Sequence, residues 1–147
     1  MRSQSQPPQG SSLHLVFGVL RLELLLNKAG LLCAVNLPEL PPPTLSRFHL
    51  FEAQRALASF PLEKAASTGL DAFRRALEAI PPGQTRTYGA LARSLGTSPR
   101  AIGSRCAANR LLLRVPCHRV TAENGPGGFR LGPEWKQSLL ALEASSS

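Results

Sequence analysis

A thiol stands directly beside an imidazole in the stretch Arg114-Val115-Pro116-Cys117-His118-Arg119-Val120, behind a proline and between two arginines. Thiolate is the nucleophilic form of cysteine, and a neighbouring base or positive charge lowers its pKa and makes it reactive. Covalent chemistry at Cys117 is therefore the first candidate, with a buried, inert thiol as the bland alternative. A Cys-His hydrolase fits poorly, because adjacent placement does not give the direct hydrogen bond such a pair requires. Cys33, Cys106 and Cys117 have no paired spacing, so neither a disulfide framework nor a zinc cluster is supported.

The elements that must position this stretch can be read from composition and periodicity. With 147 residues and 43% hydrophobic content, the chain has room for one core, or one main domain with a small appendage. No apolar run approaches the roughly 20 residues that span a bilayer. Met1 to Ser12 is polar and rich in Pro, Gln and Ser, and is expected to be a disordered tail rather than a secretory signal. That places the protein in a reducing compartment with free thiols. The cytoplasm is the default location: nucleoid-associated in a bacterium, nuclear in a eukaryote.

Leu13 to Leu26 is β-rich, Asn27-Lys28-Ala29-Gly30 reads as a turn, and Leu31 to Asn36 as a second strand, which together predict a hairpin in a small sheet. His14, Glu23 and Cys33 on these strands read as structural or surface residues. Pro38 to Pro43 is a break, and Ser46 to Phe60 has helical spacing that Pro61 stops. The spacing then predicts an amphipathic helix over Asp71 to Ile80, a helix from Tyr88 capped by Thr87 and closed by Gly96, and another from Arg100 to Asn109 opened by Ser98-Pro99. The last two form a helix-turn-helix pattern, and the small residues Ala101, Gly103, Ser104, Ala107 and Ala108 would let the second helix approach a groove closely. A final helix starts at Pro133 with Trp135, Leu139 and Leu142 as its buried stripe.

The charge is uneven. The net charge is +8, and Gly83 to Arg119 carries seven arginines and no acid, whereas residues 1–69 carry six cations against four acids. A one-sign block of that length favours a phosphate backbone as partner.

From about Thr68 to Glu143 the sequence is similar to the C-terminal domain of the O6-alkylguanine-DNA alkyltransferases. Pro116-Cys117-His118-Arg119-Val120 resembles their active-site signature, and Ile80 to Tyr88 the segment leading to their tyrosine. Pro99-Arg100-Ala101-Ile102-Gly103 resembles the start of their recognition helix. Asn109 precedes the signature by the family's spacing, and Lys136, Leu139-Leu140 and Glu143 match the final helix. The resemblance implies an α+β fold: residues 13–67 as a small N-terminal β-sheet (RNase H-like) domain, and 68–147 as a C-terminal helical, winged-helix-like domain with the helix-turn-helix.

It also implies roles. Cys117 would take the alkyl group from guanine O6 permanently, consuming the protein as a suicide enzyme. His118 would act as base through a bridging water, Glu143 would orient the imidazole, and Tyr88 would protonate the departing guanine. Asn109 would tie the recognition helix to the signature. Arg100 would enter the duplex where the damaged base is flipped out, with Ala101, Gly103, Ser104, Arg105 and Arg119 on the DNA. Tyr88, Val115, Pro116, Phe129, Arg130 and Leu131 would form the substrate pocket. The scheme needs no metal or organic cofactor, and its partner is double-stranded DNA carrying O6-alkylguanine, bound by a monomer without a membrane.

The chain departs from the family pattern at Arg110, where proline is usual, and at Arg105, where a small residue is common. Phe129 stands in place of tyrosine, and Arg130-Leu131 in place of smaller residues, which favours methyl over large adducts such as benzyl. Two alternatives stand beside direct repair. One is an alkyltransferase-like lesion sensor that binds without transferring; the other is a helix-turn-helix transcription regulator.

Overall fold

Alternation of side chains across a pleated strand organises the first part of the chain. In the computed structural model, which describes residues 10–144, the strands β1 (Ser11–Phe17), β2 (Leu20–Leu26) and β3 (Leu32–Asn36) form an antiparallel sheet in that order. Leu20, Leu22 and Leu24 of β2 point to one side and are fully buried, as a strand's period of two requires. The expected single stretch from Leu13 to Leu26 is therefore two strands. Gly18, at φ +61°, turns the chain, and a Cβ there would lie 2.6 Å from the ring of His49. A side chain here would be strained by conformation and would have to displace the His49 ring. Ser11 and Ser12 pair with Leu26 and Leu25, so the expected tail is strand at its end. Residues 1–9, the rest of the expected tail, and residues 145–147 lie outside the described residues.

The helix α1 (Arg47–Ala58) belongs to the same unit. Its N-cap Ser46 accepts from the His49 N–H at 3.1 Å, and it buries Leu50, Ala53 and Leu57. Each fully buried leucine stabilises the unit by roughly 1.5–3 kcal/mol, so Leu50→Ala alone would cost about 2–5 kcal/mol with its cavity. Among the described residues this unit comprises 10–38, Pro42–Lys64 and, out of order, Arg110–Arg114. The last segment runs beside β3: Val35 N–H donates to the Arg110 carbonyl at 2.9 Å and Val35 bridges to Leu111.

The second unit comprises, among the described residues, Glu39–Pro41, Ala65–Asn109 and 115–144. Its helices are α2 (Thr68–Glu78), α3 (Tyr88–Leu95), α4 (Pro99–Ala108) and α5 (Pro133–Ala144). Serine or threonine caps begin the first three: Ser67, Thr87 and Ser98 each accept an N–H three residues on. Gly96, left-handed at φ 68°, closes α3, and Pro99 opens α4. With α3 and α4 in this order the helix-turn-helix is formed. Phe73, Leu77, Leu91, Ile102, Val115, Val120, Trp135 and Leu139 are among the large buried side chains of the unit. Two short strands, β4 (Arg86–Thr87) and β5 (Val120–Thr121), pair in parallel. That ladder, invisible in the local sequence, joins the residue before Tyr88 to the residues after the Cys-His pair. No helix among the described residues is long and apolar enough to cross a membrane.

Candidate active site

Between Asn109 and β5 the chain buries almost every side chain, and the 3-10 turn Cys117–Arg119 sits there. Its backbone is tied by Cys117 N–H to the Val115 carbonyl at 2.8 Å and by Arg119 N–H to Pro116 at 3.0 Å. A 3-10 turn has three residues per revolution, so consecutive side chains project in different directions. Cys117 and His118 use that divergence to face separate partners.

Cys117 is 3% exposed. The Asn109 amide, at the C-cap of α4, donates to the Val115 carbonyl at 2.9 Å and to Cys117 Sγ at 3.2 Å. One side chain thus links the helix-turn-helix to the thiol. Burial pushes the Cys117 thiol up from its ordinary value, and the Asn109 amide, Lys136 and Arg130 pull it partly back. The resting sulfur is a protonated thiol that needs a base.

His118 is fully buried. Its Nε2 lies 2.9 Å from Glu143 Oε2. Arg119 donates to the same carboxylate from Nε at 2.9 Å and Nη2 at 2.6 Å, and from Nη1 to the Ile80 carbonyl at 2.7 Å. Burial alone would raise Glu143, but the bonds from His118 and Arg119 outweigh it and hold the carboxyl at about 2. An ionised acceptor requires His118 to carry its proton on Nε2. Nδ1 is then the bare lone pair, and it has no protein partner among the described residues. Burial lowers the His118 pKa despite Glu143, so the ring is neutral and free to accept a proton.

A cavity of about 150 Å³ opens beside the thiol. Cys117, Tyr88, Phe129 and Arg130 line it, with Gly103, Cys106 and Ala107 of α4 and with Gly128. Tyr88 is half-buried, and burial together with the two thiols raises its phenol pKa against the opposing Gly128 N–H. The phenol therefore keeps its proton near neutrality. Gly127 sits at φ +76°, and a Cβ there would lie 2.8 Å from the Tyr88 hydroxyl oxygen.

Of the expected catalytic residues, Asn109 bonds Cys117 Sγ and Tyr88 lines the same cavity as the thiol, while Glu143 pairs with His118. Of the expected pocket residues, Tyr88, Phe129 and Arg130 line the cavity, whereas Val115, Pro116 and Leu131 do not. Val115 and Pro116 instead supply carbonyls to Asn109 and Arg119. On α4, Arg100 and Ser104 are exposed and Gly103 reaches the cavity, while Ala101 is half-buried. Arg105 is half-buried against Gly69, whose added Cβ would lie 2.9 Å from its guanidinium. Arg119 is a correction: it is 7% exposed and forked onto Glu143, so the guanidinium expected on DNA serves the interior.

Sequence reasoning gave Lys136 no role in the site and read Cys106 as a packing residue. Lys136 is 1% exposed, and its Nζ donates to the Val120 carbonyl at 2.7 Å and the Gly128 carbonyl at 2.9 Å. It ties α5 both to β5 and to the cavity rim, and its charge lowers the thiol. The signal was available, since Lys136, Leu139 and Glu143 share one helical stripe and charges on a buried stripe want partners. Cys106 shares the cavity with Cys117, and burial raises its pKa to about 12, which keeps it an inert thiol.

A buried thiol bonded to the C-cap residue of a helix-turn-helix, beside a buried His–Glu pair, defines a class: a helix-turn-helix scaffold that carries a buried cysteine–histidine site. Residues 71–145 match the 6-O-methylguanine DNA methyltransferase DNA-binding domain, and the chain belongs to that family. It is 50% identical over 74 residues to a methylated-DNA--protein-cysteine methyltransferase of Saccharolobus islandicus, covering 50% of this chain and 48% of that protein. A protein of the same name from Metallosphaera sedula is 52% identical over 63 residues, covering 43% and 40%. The chain thus spans about half the length of the curated relatives it matches. The fold also resembles a Mycobacterium tuberculosis O6-methylguanine methyltransferase (TM-score 0.69, 24% identity, 92% and 93% of the two chains). An OGT of that organism solved in complex with DNA superposes at TM-score 0.67 with 26% identity over 90% and 91%.

Proposed function

We propose that this protein repairs DNA by moving an alkyl group from guanine O6 to Cys117, irreversibly. The observation that carries the reading is the Asn109–Cys117 contact with a neutral His118 behind it, its Nδ1 lone pair unengaged and its Nε2–H fixed by Glu143. The nucleophile–base–orienter order is that of activated-thiol chemistry.

In the proposed sequence, the exposed arginines of the helix-turn-helix segment, Arg100 first, engage a DNA duplex. The damaged nucleotide turns out of the stack into the cavity, since the alkyl group is out of reach within the duplex. The Cys117 proton passes to His118 Nδ1 by way of one water. The sulfur bonds to the alkyl carbon while the carbon–O6 bond breaks, its electron pair going to O6, and the Tyr88 phenol protonates the departing guanine. The thioether left on Cys117 has no leaving-group chemistry of its own, so each molecule reacts once. The scheme draws on no metal or organic cofactor, and a monomer suffices.

The test is intact-protein mass spectrometry after mixing with a duplex carrying one O6-methylguanine, beside Cys117→Ala. One methyl replacing one hydrogen, mapped to Cys117 and absent in the variant, is expected. No gain with lesion-selective binding retained would overturn transfer and leave a lesion sensor. Neither fold nor relatives support the transcription-regulator reading.

A further inference from the structure

Among the described residues lining the cavity beside Cys117, Arg130 carries the only permanent charge, and no carboxylate faces it. Arg130 is exposed, yet its guanidinium is held: Nη1 donates at 3.0 Å to the carbonyl of Ala107. Ala107 belongs to the last turn of α4 and lines the same cavity. The C-terminal carbonyls of a helix carry the negative end of its dipole, which favours a cation there. A guanidinium has five N–H donors, and this bond uses one. The charge also reaches the sulfur, being among the groups that draw the Cys117 thiol down.

A methyl adduct offers that charge nothing to meet. A carboxylate on the carbon next to the reacting one changes the balance. Attack by a thiolate then brings two negative charges together, and a fixed cation at the same cavity offsets their repulsion as it develops. We propose that Arg130 fits this pocket to O6-alkylguanines whose transferred group is anionic, carboxymethyl above all, which the same pocket without the cation would reject against neutral adducts of the same size. The proposal rests on the alkyl-transfer reading and names a substrate class within it.

The step balances as the methyl transfer does. Cys117 gives its proton to His118, and its sulfur bonds to the methylene carbon of the carboxymethyl group. The carbon–O6 bond breaks with its electrons on O6, Tyr88 protonates the guanine, and S-carboxymethylcysteine is left with its carboxylate at Arg130.

The experiment compares single-turnover transfer from three duplexes carrying O6-carboxymethylguanine, its neutral isostere O6-carbamoylmethylguanine, or O6-methylguanine. The readout is the carboxymethyl-to-carbamoylmethyl rate ratio within each protein, which cancels any general loss. Discounted for the exposure of Arg130, a charge-assisted contact predicts a ratio in the native protein about five- to tenfold above that in Arg130→Gln, where the repulsion stands unopposed and the ratio falls below one. Arg130→Lys should keep part of the difference. An equal ratio in native protein and Arg130→Gln overturns the proposal; that is the result if Arg130 serves a DNA phosphate. Should Arg130→Gln not fold, the native ratio must fall with rising salt, and a salt-independent ratio overturns it. Methyl transfer with an equal ratio in both proteins overturns this inference alone, whereas no transfer from any duplex overturns the function beneath it.

Discussion

Replacing Glu143 by glutamine keeps the shape of the side chain and removes the charge on which three buried donors converge. His118 Nε2 at 2.9 Å and Arg119 Nε and Nη2 at 2.9 and 2.6 Å all donate to the carboxylate. A glutamine oxygen can serve part of this set, but its NH₂ group faces a donor, and the Arg119 guanidinium, 7% exposed, loses its counter-charge. Two routes give the magnitude. Removing one partner of a buried pair costs about 3–5 kcal/mol. Independently, burial opposed by the His118 and Arg119 bonds leaves the carboxyl at about 2 against an ordinary 4.5, and at about 1.4 kcal/mol per pH unit that difference is worth roughly 3.5 kcal/mol at neutral pH. The agreement sets the expectation: Glu143→Gln should lower Tm at pH 7 by about 10 °C. A depressed folded-state pKa stabilises fully above the unfolded value and is lost as pH falls towards the folded one. The native protein should therefore lose stability from pH 4.5 down to about 2, and the gap between native and variant should close across that window. Thermal denaturation at a series of pH values measures both. A Tm loss under about 2 °C, or a gap that does not close in acid, would refute the argument that Glu143 is ionised and carries the cluster.

Asn109→Ala removes the amide from both the Val115 carbonyl and the thiol; the loss of a hydrogen bond to a developing thiolate should slow single-turnover transfer by about 10–100-fold. Gly127→Ala forces a side chain into a left-handed position against the Tyr88 hydroxyl; expect a stability loss of about 1–2 kcal/mol by denaturant titration and slower transfer as Tyr88 shifts. Buried thiols bind their protons more tightly in the fold, so stability should fall as pH rises above 9, towards about 12 for Cys106; Cys106→Ala should flatten that alkaline limb in a pH-resolved melt. A flat native limb from pH 9 to 11 would contradict the burial of the two thiols.

Much of the second unit was legible because its signals are local. The caps Thr87 and Ser98, the glycine closing α3 and the proline opening α4 act within one turn of the residues they serve. A reader of the sequence can therefore place the helices of the helix-turn-helix nearly where they lie. The Cys-His pair was legible for a similar reason: adjacency is written in the chain, and the chemistry of a thiol beside an imidazole follows from residue type. Glu143 was reached through the resemblance, its role depending on a contact 25 residues away in sequence.

What the tertiary structure decided concerns partners that only folding brings close. Arginine in a basic block reads as a DNA contact, yet Arg119 meets a carboxylate 24 residues on and a carbonyl 39 residues back. Its charge was evident in the sequence, but its address was not. Lys136 likewise became a brace because β5 and Gly128 present carbonyls to it. Gly18 turns the chain at positive φ, and folding brings the His49 ring over the space where a side chain would stand. The Arg110–Arg114 segment was recruited to β3 by a backbone hydrogen bond that any residue type could make. Residue type and spacing determine which group can react and where helices start. Electrostatic partnership and strand pairing depend on distance in space, and folding alone sets that distance.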